Sequence, residues 1–350
     1  MMFRLRKDRC ESLIRRLREK VDVLFPGTGS RPAAMAGPEE LFPRPGMLGS
    51  LKGILMPVEE ISGPGAGRPP EPERPALVWG VKPCDMKGLE LIDRIFQEGF
   101  TDTLYAARRG KLLFAGLACR EKADTCFCDL VGIDRTSTAG MDVVMVEDGE
   151  ELLLKPLTSA GEELAAHAGE LLDRGRGGDG TRFEILLAGT SEGNIEGQSA
   201  RMDVGETAAR MQELWAGDLW EKMSWTCLGC GACSFLCPLC WCFDVRDVPR
   251  AVLGQLGGDP PGCGAGGEEG RRSVRIRCRD SCQLGHYARM AGGADPYGGE
   301  AARMRHRFFH KFKYIPDEYG MLGCSGCGRC VVACPQGIDI RDIVLMLTKK

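Results

Sequence analysis

The sequence predicts an α+β fold, with an amino-terminal α/β domain over residues 1–200 and a mostly helical domain over 201–350. Two observations point there. Between Ala76 and Ala188 short apolar runs alternate with helix-patterned stretches, and beyond residue 200 cysteines fall at fixed short spacings between glycines. A chain of 350 residues, 43% of them hydrophobic, is long enough for two ordinary cores.

In chain order, Leu5, Ile14, Leu17, Val21 and Leu24 recur among charged residues and predict a basic amphipathic helix with one core face. Residues 26–75 are rich in Gly and Pro and read as loop, with a short strand at Gly53–Met56. Strands are expected at Leu77–Val81, Lys111–Leu117, Met141–Val146, Glu151–Leu154 and Phe183–Ala188, and a helix at Leu89–Phe96. Asp203–Trp220 reads as a helix. From Arg271 to Lys313 the chain is strongly basic, and Met304, Phe308 and Phe312 at helical spacing predict a helix whose apolar stripe meets the core. Its charges either solvate the outer face or offset negative charge within.

The chemistry lies in the cysteines. Cys324, Cys327, Cys330 and Cys334 precede Pro335, and Cys227, Cys230, Cys233 and Cys237 precede Pro238 with the same spacing. Two such Cys-x-x-Cys-x-x-Cys-x-x-x-Cys-Pro runs specify two [4Fe-4S] clusters, each fourth cysteine serving the other run's cluster. The spacing therefore assigns Cys227, Cys230, Cys233 and Cys334 to one cluster and Cys324, Cys327, Cys330 and Cys237 to the other. The carboxyl-terminal domain is then a dicluster ferredoxin-like domain with a basic insert. Arg329 lies inside the second run where Ala232 lies in the first, so a cation near the cofactor should make that cluster the easier to reduce.

Two further groups stand apart. Cys84 and Cys119 each follow an expected strand, and Cys126 and Cys128 come just after, so four thiols can converge on one metal at neighbouring strand ends. The bland alternative is four small buried side chains; iron–sulfur and zinc both remain open. Cys240 and Cys242, with Cys278 or Cys282 added, form a possible fourth centre, and Cys10 and Cys263 read as incidental. His306 and His310, at i and i+4, lack nearby carboxylates and read better as a surface pair than as ligands. Gly262, Gly264 and Gly267 match a dinucleotide fingerprint but follow no strand, so they read as loop.

Eighteen cysteines at metal-ligand spacings argue for a reducing cytoplasm over a disulfide framework. A net charge of −3 favours no nucleic-acid partner, and no apolar stretch is long enough to span a bilayer. No Ser/His/Asp set, phosphate loop or flavin fingerprint supports catalysis by the chain alone. A stand-alone redox or iron–sulfur sensor is the alternative reading, since the Cys-x-Cys groups would suit a labile cluster.

Gly80-Val81-Lys82-Pro83-Cys84-Asp85, Cys126-Phe127-Cys128, both cysteine runs, Arg303-Met304-Arg305-His306-Arg307 through His310-Lys311-Phe312, and Gly326-Cys327-Gly328-Arg329-Cys330 together resemble one family. It is the iron–sulfur subunit family of hydrogenase and sulfur reductase beta subunits and anaerobic sulfite reductase A subunits. Arg279-Asp280-Ser281-Cys282 departs from the Trp-Asp-Ser-Cys common there, and the resemblance implies Cys282 as the ligand and Cys278 as the weaker candidate. The resemblance implies a cytoplasmic electron-transfer subunit of an anaerobic oxidoreductase. Its partners would be a flavin- and NAD(P)H-binding subunit and a catalytic hydrogenase, sulfur or sulfite reductase, or heterodisulfide reductase subunit.

Overall fold

The computed structural model describes residues 1–27, 41–43, 49–61, 74–189, 201–249 and 273–348; Cys263 and the glycines at 262–267 lie outside them. The amino-terminal half is built on a seven-stranded sheet of β1 (Phe3–Arg6), β2 (Asp22–Leu24), β4 (Ala76–Val81), β5 (Leu112–Leu117), β6 (Val143–Asp148), β7 (Glu151–Pro156) and β8 (Asp173–Arg174). Its order is β2-β4-β5-β6-β7-β1-β8. β2, β4, β5 and β6 run parallel, whereas β7, β1 and β8 pair antiparallel.

β4 is buried along its whole length, as a central parallel strand covered on both faces must be. Leu77 and Trp79 face one core with Leu13, Ile14 and Leu17 of helix α1 (Cys10–Leu17) and Leu164 of a second helix (Ser159–Ala168). Val78 and Val81 face the other core, with Leu89 and Ile92 of a long helix (Pro83–Gln97). The register slips between Trp79 and Val81, where Gly80 takes φ +80°, so both valines reach one face.

Several expected elements differ. The first segment is not one helix: Leu5 lies in β1 and Leu24 in β2, and between them a 3-10 turn, Lys7–Arg9, leads into the α-helix Cys10–Leu17. Phe183–Ala188 belongs to a helix (Asp179–Ala188), whose first turn is tied to β1 by Arg4, which donates to Asp179 Oδ2 at 2.8 Å and Oδ1 at 2.9 Å. Gly53–Met56 overlaps a short helix, Lys52–Leu55, because Leu51, Ile54 and Leu55 bury at spacings of three and four. Asp203–Trp220 splits into Val204–Glu213 and Leu219–Ser224, broken where Gly217 takes φ +116°.

Helices of the carboxyl-terminal half gather around a core of Met211, Trp220, Met304, Phe308, Phe309, Phe312, Ile343 and Val344. The expected basic helix is present as Glu300–Phe309 and continues through a π-helical turn, His310–Tyr314. A three-stranded sheet, β3-β10-β9, joins Glu59–Glu60 of the amino-terminal half to Ser273–Arg279 and Phe243–Pro249. The halves interlock. Phe127, Leu130, Val131 and Ile133 from the loop after β5 enter the carboxyl-terminal core, and Leu91 of the Pro83–Gln97 helix packs with Cys237, Leu239 and Cys240. Gly88 of that helix is needed for the approach, since a Cβ there would lie 2.7 Å from Pro238 Cβ.

Candidate metal centres

The two cysteine runs fold alike. Each begins as a loop and enters one helical turn, Ala232–Phe235 in the first and Arg329–Val332 in the second. Gly231 and Gly328 precede those turns with φ +74° and +70°. Left-handed backbone there turns the chain so that consecutive cysteines face one point. The fourth cysteines are exchanged in space: Cys227 has Cys233, Cys230 and Cys334 as charged neighbours, and Cys237 neighbours Cys324, Cys327 and Cys330. These are the two sets the spacing assigns.

Backbone donors surround the sulfurs. Gly229 N–H donates to Cys227 Sγ at 3.4 Å, Gly326 N–H to Cys324 Sγ at 3.4 Å and Ile338 N–H to Cys334 Sγ at 3.3 Å. Burial raises the thiol of Cys324 to about 12 and that of Cys330 to about 11, so metal loading must displace tightly held protons. Arg307 Nε and Ser325 Oγ are buried and have no hydrogen-bond partner among the described residues. Both lie beside second-set cysteines, where cluster sulfides would accept from them; the thiols, loop amides and orphaned donors fit [4Fe-4S] clusters.

Buried cations gather at the second set. Lys311, 2% exposed and in the π-helical turn, donates to Cys237 Sγ at 3.1 Å, Cys240 Sγ at 3.4 Å and Gly323 O at 3.0 Å. Burial opposes its charge, but Cys237, Cys240 and Cys324 outweigh that and hold the ammonium well above its usual range. Arg307, 5% exposed, has Cys233, Cys330, Cys240 and Cys237 around it and so stands between the two sets. Lys52 is buried and donates to Ser234 O, with Cys240, Cys237 and Cys242 nearby. The sequence left Arg307 and Lys311 open between a solvated face and internal cations, and it did not single out Lys52. A usable signal existed, because Arg307 and Lys311 are four apart and adjoin the Met304-Phe308-Phe312 stripe.

Arg329 is buried, 6% exposed. It does lie beside Cys327, but its guanidinium forms a fork with Asp85, NH1 to Oδ1 at 2.6 Å and NH2 to Oδ2 at 3.0 Å, with both side chains buried. A paired cation presents a dipole rather than a full charge to the second set. Lys311 acts first on Cys237 and Cys324, whereas Arg329 acts first on Cys327.

Cys84, Cys119, Cys126 and Cys128 do converge, lining one cavity at the carboxyl ends of β4 and β5. Cys84 sits in the first turn of the Pro83–Gln97 helix, and Cys126 Sγ lies 3.6 Å from Cys327 O. Among the later cysteines, Cys242 and Cys282 share a hydrogen bond, as do Cys237 and Cys240, and Tyr287 OH lies 3.8 Å from Cys242 Sγ. Cys278 is not among them; it sits opposite Asp244 in the β9-β10 ladder, with Arg246 and Asp280 as neighbours. His306 and His310 are not a surface pair. Their rings stack 5.5 Å apart between Tyr297 and Trp241, and burial lowers His310 to about 3.

Comparison with known proteins bears on this geometry. Residues 226–338 match the 4Fe-4S dicluster domain family. The chain is 27% identical over 269 residues to the sulfhydrogenase 2 subunit beta of Pyrococcus furiosus, an alignment covering 75% of this chain and 71% of that protein. Both matches support an iron–sulfur electron-transfer subunit of an oxidoreductase.

Proposed function

We propose that this chain, an iron–sulfur protein of the beta-subunit family, relays electrons in a multi-subunit anaerobic oxidoreductase of the cytoplasm. It stands between a flavin- and NAD(P)H-binding subunit and a catalytic hydrogenase, sulfur or sulfite reductase, or heterodisulfide reductase subunit. The observation that carries this reading is the exchange of Cys237 and Cys334 between the two runs, which suits two clusters held side by side. When bound, such clusters supply one-electron redox chemistry at low potential.

The protein's own contribution is position, field and access. The exchanged cysteines tie both sets to one framework, and Arg307 and Lys311 offset the negative charge of thiolates inside it. Access is unequal. Cys230 is exposed, whereas Cys324 and Cys237 are buried. Trp225 at 77% exposure, Leu228 at 62% and Val332 at 50% lie within two residues of first-set cysteines. An apolar rim around an exposed ligand suits a protein redox partner, which must exclude water and approach closely. Among the described residues no helix is long and apolar enough to cross a membrane.

The test is anaerobic affinity purification from native cells. Co-purification of a flavin-binding subunit and a hydrogenase or reductase subunit is the expected result. A chain that purifies alone, at every salt concentration tried, contradicts the relay.

A further inference from the structure

We propose that Cys84, Cys119, Cys126 and Cys128 hold a third [4Fe-4S] cluster, in a cavity that the second cysteine set closes on one side. The site stands on its own geometry, and its place in electron relay rests on the function proposed above.

The cavity belongs to both halves of the chain. The parallel strands β4 and β5 end at it and deliver Cys84 and Cys119, in the crevice where open α/β sheets bind their ligands. The loop bearing Cys126 and Cys128 forms a second wall, and Cys327 and Arg329 a third. That closure is close-packed: Phe127 N–H donates to Gly326 O at 2.8 Å, and a Cβ on Gly326 would lie 2.5 Å from Cys128 N. Gly328, at φ +70°, lies equally close to Thr125, where a Cβ would meet Oγ1 at 2.5 Å. Cys327 thus belongs to the second set while lining the cavity of the quartet.

Spacing separates a cubane from a single zinc ion. Four thiolates on zinc, each bonded at about 2.3 Å, must come within about 4 Å of one another. Among the described residues no three of the quartet's sulfurs lie within 4.8 Å of one another. The four line a partly open cavity together with Lys82, Arg135 and Cys327. A set spread around a cavity suits an inorganic core with sulfides of its own.

The lining is prepared for an anion. Arg135 is 5% exposed, pairs through Nε with Asp129 at 3.3 Å, and leaves NH2 buried without a partner. Lys82, 6% exposed, sits beside Cys119 and Cys84. A cluster of four thiolates and four sulfides offers the negative charge and the acceptors that these donors lack. Four thiols serving only as small hydrophobes would leave Arg135 NH2 without a partner among the described residues.

The test compares metal and acid-labile sulfide in the anaerobically purified full chain with those in a Cys84→Ser/Cys126→Ser variant. The variant should lose about four irons and four sulfides per chain with no change in zinc, and keep the reduced-state EPR signals of the other clusters. Unchanged iron, or loss of one zinc without sulfide, overturns the site. If the double variant fails to fold, Cys242→Ser/Cys282→Ser decides. With the later cysteines disabled, about twelve irons per chain support the third cluster and about eight overturn it. Failure of the relay reads out separately, as a chain that keeps this iron but accepts no electrons from a partner.

Discussion

Replacing Lys311 by Met should lower the potential of the second-set cluster far more than that of the first. Lys311 Nζ lies 3.1 Å from Cys237 Sγ and 3.4 Å from Cys240 Sγ, and the side chain is buried. Placing the charge about 5 Å from the centre of the added electron, at an effective dielectric near 20, gives about 3 kcal/mol, or roughly 0.14 V. Burial limits solvent screening, so a fall of roughly 0.1 V is expected. Cys227, Cys230 and Cys233 have no contact with this ammonium, and their cluster should shift by less than about half as much. The assay is an anaerobic potentiometric titration followed by EPR. Lys313→Met serves as the control, since Lys313 pairs with Asp317 at the surface at 2.5 Å, and Lys311→Gln separates lost charge from a lost donor. Equal shifts in both clusters, or a shift in Lys311→Met no larger than in Lys313→Met, would refute the reasoning.

Three other outcomes follow from the geometry. Arg329→Ala leaves Asp85 buried without its guanidinium and should destabilise the chain by about 3–5 kcal/mol, much of it restored in the double variant with Asp85→Asn; thermal unfolding of the four proteins as a cycle checks this. Trp225→Glu should slow partner-driven reduction at least tenfold and leave reduction by dithionite unchanged in stopped-flow traces, because it places a charge in an exposed apolar rim without touching a ligand. His310, lowered to about 3 chiefly by burial, stays neutral in the fold and gains a proton on unfolding below about pH 6.5. Stability should therefore fall with pH by up to about 1.4 kcal/mol per unit from that residue, and His310→Gln should flatten the dependence of the unfolding midpoint between pH 7 and 5.

What could be read from the sequence follows what chemistry fixes locally. The thiol spacing of the two runs is set by the size of a cluster, so the exchange of Cys237 and Cys334 was legible before any fold. The convergence of Cys84, Cys119, Cys126 and Cys128 was legible too, because strand ends in a parallel sheet share one edge. Charge was harder to read. Lys311 and Arg307 sit in a basic stretch that resembles a solvated face, and only packing shows that they turn inward beside thiols. Arg329 was rightly placed near its cluster, but its pairing with Asp85 joins residues 244 apart in sequence. The β9-β10 pair carries a period of two in Ser273-Val274-Arg275-Ile276-Arg277, hidden beneath that basic composition. Phe183–Ala188 misleads because six mostly apolar residues suit either strand or helix, and Phe183, Leu186 and Leu187 settle it only through the core they meet.

Electron relay through this chain is tested most directly by adding NAD(P)H anaerobically to the native complex and to the isolated chain, and recording reduced-cluster EPR signals on the turnover timescale. The relay predicts reduction of both dicluster centres in the complex and none in the isolated chain. Clusters that stay oxidised in a complex whose flavin is reduced, or that are reduced equally well without partners, would contradict it.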